Sequence, residues 1–353
     1  MMNKKFLTMG LLLILMVSGL SACSNTADEI IKTETEDKSY DSTAWSETES
    51  YDSVKESVNI GSLKGPTSMG LVSLMDQADR GEGRHDYNFT MVTAADELLS
   101  QIINGDLDIA MVPANVASVL YNKTEGAISV LNINTLGVLY IVESGEGILS
   151  IESLKGKTLY LTGKGTTPEY VMNYLLGQYG LTADDVTLEF KSEATEVAAV
   201  LTEQKDAIGL LPQPFVAVAM GQNEKLRIAL DLTKEWDLVQ GEAKSSLVTG
   251  VTVVRNEFLE AHGDVVDDFL AEYEASTEFT NTNTEAAAQL IVSLGIVANA
   301  TIAEQAIPYS NITYIDGEAM KTALSGYLQV LYNQKPESVG GSMPGDDFYF
   351  ISQ

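Results

Sequence analysis

Val58-Asn59-Ile60-Gly61-Ser62-Leu63-Lys64-Gly65-Pro66-Thr67-Ser68-Met69 reads as a strand, a tight turn and the opening of a helix. Val58, Ile60 and Leu63 suit an extended, buried run. Gly65 allows close approach, Pro66 pre-sets the turn, and Thr67 and Ser68 put hydroxyls beside a helix start. Thr158-Leu159-Tyr160-Leu161-Thr162-Gly163-Lys164-Gly165-Thr166-Thr167-Pro168 repeats that design further on.

Working outward, each copy opens a series of alternating strands and helices. The first runs through a helix at 69–78, a strand at 87–93, a helix at 95–104 and a buried strand at 107–112. A helix from Pro113 to Asn122 and strands at 128–133 and 138–143 follow. The second runs through a helix at 168–179, a strand at 186–190, a helix at 194–204, a strand at 207–211, a helix at 215–220 and a strand at 226–230. After a polar stretch at 235–246 comes a strand at 247–254. Then helices are predicted at 256–260, 265–279, 285–294, 302–306 and 317–332. Strands alternating with helices mean βαβ units and largely parallel sheets. Two such series predict an α/β protein of two lobes, and ligands of open α/β sheets bind beyond the carboxyl ends of the strands.

Four turns have the composition of ligand-gripping helix starts: Lys64–Met69, Pro113-Ala114-Asn115, Gly163–Pro168 and Pro212-Gln213-Pro214-Phe215. Free backbone N–H groups at such points hold anions or polar ligand edges. Taken singly, Ser68, Asn115 and Thr167 are better explained as N-caps. Four such turns at equivalent strand ends favour a site.

Other chemistry finds little support. Gly156-Lys157-Thr158 lacks the upstream glycine of a P-loop and precedes a strand. His85 and His262 lie in polar segments and read as surface loop residues. No G-x-S-x-G pentapeptide and no metal-ligand spacing is present, and the turn before a buried strand explains Asp106 and Asp108. The expectation is therefore no catalytic residue, no metal and no cofactor. With 50 Asp and Glu against 21 Lys and Arg, the net charge of −29 repels phosphate backbones and excludes nucleic acid as a partner.

The N-terminus has its own logic. Lys4 and Lys5 precede an apolar run from Phe6 to Val17 and the small-residue stretch before Cys23, the sole cysteine. The run is too short to favour a spanning helix, which needs about 20 residues, and has the layout of a secretory signal. Leu20-Ser21-Ala22-Cys23 resembles a lipobox, which implies removal of residues 1–22 and acylation of Cys23. Two or three acyl chains anchor a folded body stably. Residues 24–57 hold twelve Ser/Thr, ten Asp/Glu and three Lys. Such a composition predicts a disordered tether.

From Val58 onward the chain resembles the solute-binding proteins of ABC importers. Within them it is similar to the branch that takes nitrate, sulfonates, taurine and thiamine precursors. The carrying segments are Gly65–Gly70, Asn104-Gly105-Asp106-Leu107-Asp108-Ile109-Ala110, Leu154-Lys155-Gly156-Lys157-Thr158, Gly163–Thr167 and Leu211–Phe215. The resemblance implies a type II periplasmic-binding fold with a cleft between the lobes. Lobe one would comprise 58–144 and 247–353, and lobe two 145–246. It also implies a small-molecule solute, an ABC permease with its cytoplasmic ATPase, and a monomer held extracytoplasmically by its lipid. Ser68, Asn115, Thr166, Thr167 and Gln213 match family contacts; Met69 and Thr135 join them as candidates. One departure is that the four arginines lie away from the four turns, leaving Lys64 and Lys164 as the nearby cations. The alternatives are an enzyme on the same fold, such as a menaquinone-pathway lyase, or a surface sensor or adhesin.

Overall fold

A computed structural model describes residues 55–182, 184–240 and 245–351. The signal segment, Cys23 and all but the last residues of the expected tether lie outside these. The chain begins with β1 (Ser57–Leu63), α1 (Pro66–Met69), α2 (Val72–Asp79), β2 (Asp86–Val92), α3 (Ala95–Asn104), β3 (Ile109–Pro113), α4 (Ala114–Lys123) and β4 (Ile128–Leu136). It continues with β5 (Leu139–Glu143), β6 (Thr158–Leu161), α5 (Thr167–Gln178), β7 (Thr187–Phe190), α6 (Ala194–Glu203), β8 (Ile208–Pro212), α7 (Phe215–Gln222), β9 (Arg227–Asp231) and α8 (Leu232–Gln240). It ends with β10 (Val248–Arg255), α9 (Asn256–Ala261), α10 (Gly263–Thr282), α11 (Thr284–Ser293), α12 (Ala300–Ala306), β11 (Ile312–Ile315) and α13 (Gly317–Gln334).

These strands form two sheets, ordered β11-β4-β10-β3-β1-β2 and β7-β6-β8-β5-β9. In each, four strands run in one direction, and the strand that arrives straight after a crossing, β5 or β10, is inserted antiparallel between two of them; β11 adds a second antiparallel strand at the edge of the first sheet. The two lobes are thus built alike, each borrowing one strand at the crossover. This corrects the expected boundary at 144. Leu139–Glu143 pairs with β8 and β9, so the first crossing falls between Leu136 and Leu139. The strand's apolar run was legible, but its partners lie some 70 residues away, and only they decide which sheet it joins.

The expected helix at 69–78 is broken at Gly70. A side chain there would stand 3.1 Å from Thr277 Oγ1 and 3.2 Å from Ile312 Cγ2, so close packing fixes the glycine and bends the path. The stretch at 235–246 is not simply polar. Leu232 and Trp236 put one fully buried stripe on α8. The C-terminal residues return to lobe one, where Ser118 Oγ and Asn122 Nδ2 on α4 donate to Val339 O at 2.7 and 2.8 Å.

The largest core cluster runs through both lobes, joining Leu324, Tyr327 and Leu331 of α13 to Leu175 of α5 and Trp236 of α8. Trp236 lies 4.8 Å from the Tyr174 ring and 5.6 Å from that of Tyr327. On the other side, Val218 of α7 packs against the cluster built on α11 and α12. Hydrogen bonds also cross: Tyr140 Oη donates to Tyr309 O at 2.9 Å, and Asn115 Nδ2 donates to Gly165 O at 3.3 Å. Among the described residues no helix is long and apolar enough to cross a membrane.

Candidate functional site

A cleft of about 350 Å³ lies between the lobes. Its walls are strand-to-helix turns, as open α/β sheets require. Lobe one supplies the β1–α1 turn (Leu63 to Thr67), the β2–α3 turn (Thr93 to Asp96), Pro113 and, from β10, Thr249. Lobe two supplies the β6–α5 turn with Thr166 and Thr167, the β7–α6 turn (Lys191 to Thr195), Pro212, Phe215 and Leu139.

Six helices start at or beside this cleft, and at none does the N-cap residue make a side-chain capping bond. The N-caps are Gly65, Ala94, Pro113, Thr166, Glu193 and Pro214, so the capping reading of Ser68, Asn115 and Thr167 fails. In three places another side chain takes a donor: Glu169 and Glu196 reach back, and Gln213 reaches forward. Glu169 accepts from Gly165 N at 2.6 Å, Glu196 from Ser192 N at 3.2 Å, and Gln213 from Ala217 N at 3.3 Å. The starts of α1, α3 and α4 have no such side-chain acceptor, although Ser68 N donates to Gly65 O and Glu97 N to Ala94 O at 3.2 Å each, and helix starts carry partial positive charge.

The charged residues of the cleft are Lys64, Lys164 and Lys191 against Asp96 and Glu193. Lys191 Nζ lies 2.7 Å from Glu189, 5.3 Å from the Tyr160 ring centre, and its pKa is raised chiefly by the Glu189 hydrogen bond. Lys164 Nζ lies 5.9 Å from the Phe190 ring centre. All four arginines are committed elsewhere: Arg80 to Asp76 and Glu82, Arg84 to Asp268, Arg227 to Glu143, and Arg255 to Asp108 and Glu257. Leu63, Leu139, Phe215 and the prolines give the cleft its apolar part.

The candidates from the sequence divide sharply. Thr166 and Thr167 line the cleft, although Thr166 Oγ1 donates to Gly163 O at 2.8 Å. Ser68 does not reach it. Its hydroxyl is buried against Ser62 Oγ and Leu63 O, because α1 turns that residue under the strand. Met69 is fully buried with Ala287 and Ile291. Thr135 donates to Asn134 Oδ1 at 2.9 Å inside lobe one. Gln213 folds onto its own helix and is 3% exposed. Asn115 is buried behind the cleft, where it ties the lobes: Nδ2 donates to Gly165 O and to Ser338 O at 3.1 Å, and Oδ1 faces Thr167 Oγ1 at 3.5 Å.

Sequence reasoning missed the β2–α3 and β7–α6 turns. Thr93 ends one predicted strand, Ser192 follows another, and both precede predicted helices, so the strand-end rule alone would have found them. His85 is not a surface residue. It is 7% exposed, accepts from Glu56 N at 3.3 Å and faces Asp268 Oδ2 at 3.2 Å. His262 stacks on Phe258. Neither histidine lines the cleft.

Two such sheets with a cleft at their strand ends define the class: this is the periplasmic-binding-protein fold. Residues 124–287 match the family model described as NMT1/THI5 like, a span that covers lobe two and both crossings. A protein of Brucella abortus (strain 2308) described as a binding protein is 25% identical over 166 residues, which are 47% of this chain and 49% of that protein. The chain spans about half the length of the curated relatives it matches. An ABC transporter structure from Parabacteroides distasonis superposes with a TM-score of 0.68 at 23% identity, covering 84% of this chain and 99% of that one. The periplasmic aliphatic sulphonate binding protein SsuA of Escherichia coli gives 0.66 at 15% identity, covering 84% and 93%. The alkanesulfonate-binding SsuA of Xanthomonas axonopodis pv. citri, bound to MOPS, gives 0.62 at 15%, covering 79% and 93%.

Proposed function

We propose that this chain is the extracytoplasmic solute-binding component of an ABC importer. It captures one small solute between its lobes and delivers it to a membrane permease driven by a cytoplasmic ATPase. The observation that carries the reading is the cleft itself. It is lined from both lobes at the strand ends, and the lobes are joined by two crossings. A solute there touches both lobes, so it binds the closed form preferentially and shifts the balance toward it.

The cleft's chemistry favours a solute with an apolar part and a polar or anionic head. Phe215, Leu63 and Leu139 suit the first; helix starts and three lysines suit the second. An organosulfonate such as taurine or MOPS has this character, and an aminopyrimidine related to thiamine precursors fits the same walls through hydrogen bonds alone. Lysine gives a point charge without the bidentate fork of arginine. Lys164→Gln and Lys191→Gln are therefore expected to weaken a sulfonate about three- to tenfold each, and less at high salt. They should leave an aminopyrimidine unaffected.

Calorimetry with taurine, MOPS, nitrate and aminopyrimidines, paired with small-angle scattering, tests the proposal. The solute that binds should lower the radius of gyration. A saturated protein with an unchanged profile would sink the importer reading. The lipid anchor at Cys23 enters the proposal from the sequence: wild-type protein should partition into detergent, and Cys23→Ala should not. Unmodified soluble wild-type protein would remove that part alone.

A further inference from the structure

Thr249 was not among the sequence candidates, and three independent observations converge on it. It is the extra residue of a β-bulge. On β10, Val248 stands opposite Leu136 and Gly250 opposite Thr135, so two steps on β10 meet one on β4. Bulges leave the added residue out of the ladder and re-aim its side chain. Thr249 lines the interlobe cleft. Its Oγ1 is buried and has no hydrogen-bond partner among the described residues.

The neighbouring glycine fixes this arrangement. A side-chain carbon on Gly250 would stand 2.5 Å from Asn134 Oδ1 and 2.6 Å from Thr67 Cγ2. Glycine therefore lets Thr67 close against β10, which sets Thr67 and Thr249 in one wall of the cleft. Thr67 Oγ1 is already spent on Leu63 O at 3.3 Å, which leaves the Thr249 hydroxyl free. A buried hydroxyl without a partner is unfavourable, so its retention beside a cavity needs a reason.

We infer that the Thr249 hydroxyl is a solute-binding group, satisfied by a hydrogen bond from or to the polar part of the bound molecule. The inference rests on the cleft being a solute site. It adds a residue whose place matters: Thr249 is the second residue of β10, the strand that returns from lobe two, so a solute held by it touches the chain right after the crossing. Such a contact couples occupancy to the angle between the lobes.

Thr249→Val keeps the β-branched shape and deletes the hydroxyl, and Thr249→Ser keeps the hydroxyl. In the unliganded protein, Thr249→Val should hold or raise the thermal midpoint, because it removes an unpaired buried group. With MOPS and taurine as probes, Thr249→Val should weaken the better binder about tenfold, and Thr249→Ser should stay within about threefold of wild type. A midpoint that falls in Thr249→Val and is restored in Thr249→Ser would show a structural bond and overturn the assignment. Unchanged affinity of Thr249→Val for a probe that wild type binds would overturn it equally. A midpoint that holds supports the free hydroxyl whether or not either probe binds, so failure of the probes counts against the sulfonate reading alone.

Discussion

Trp236→Ala is expected to destabilise the body by about 3–5 kcal/mol, the range for deleting a fully buried large aromatic side chain. Trp236 has no exposed surface and sits between Tyr174 at 4.8 Å and Tyr327 at 5.6 Å. Tyr327 comes from lobe one, whereas Tyr174 and Trp236 come from lobe two, so the ring is a packing element shared by the lobes. Its Nε1 also donates to Ser245 O at 2.7 Å, just before the chain re-enters β10. Alanine would leave a void too well walled to collapse and a buried carbonyl without its donor. Trp236→Phe should recover much of the packing and none of the hydrogen bond. Urea titration of the three proteins measures both terms. A loss under about 1 kcal/mol in Trp236→Ala would mean that the lobes repack freely at this seam.

Trp236 also shows why part of this molecule could not be read in one dimension. The strands and helices of both series were legible, because period and turn chemistry are local. The helix α8 was missed because its core face is little more than Leu232 and Trp236, set among charged residues. The strand β11 was missed because four residues, Ile312–Ile315, give too short a pattern between helices. The candidate site was half visible. Glycine-rich turns pointed to Thr166 and Thr167, which line the cleft, since those residues need only a local turn to reach it. Ser68, Met69 and Thr135 lie away from the cleft, and residue type cannot say which side of a first turn or a strand faces the cavity. Thr249 was beyond reach in principle. A bulge exists only in the register of β10 against β4, and those strands are more than a hundred residues apart.

Asn115→Leu should produce the other large effect, about 2–4 kcal/mol of stability, and should also change the balance between open and closed lobes. The side chain is fully buried at the start of α4 and spends both ends of its amide. Nδ2 serves Ser338 O at 3.1 Å and Gly165 O at 3.3 Å, while Oδ1 faces Thr167 Oγ1 at 3.5 Å. Leucine is of similar size, so little volume changes, but two carbonyls and a hydroxyl lose their partner away from water. The Ser338 bond lies within lobe one and should register as lost stability of the body. The Gly165 and Thr167 contacts cross between lobes and should register as a shift toward the open form. These consequences separate experimentally. Urea titration reports the first, and a larger radius of gyration in unliganded Asn115→Leu reports the second. Apparent solute affinity should fall with the closed fraction, because a solute that needs the closed form must offset its lower population. Asn115→Asp sharpens the test: a carboxylate has no donor for Ser338 O or Gly165 O and places charge against both. It should open the lobes at least as far as leucine does, and an unchanged radius in both variants would show that Asn115 stabilises lobe one without holding the two lobes together.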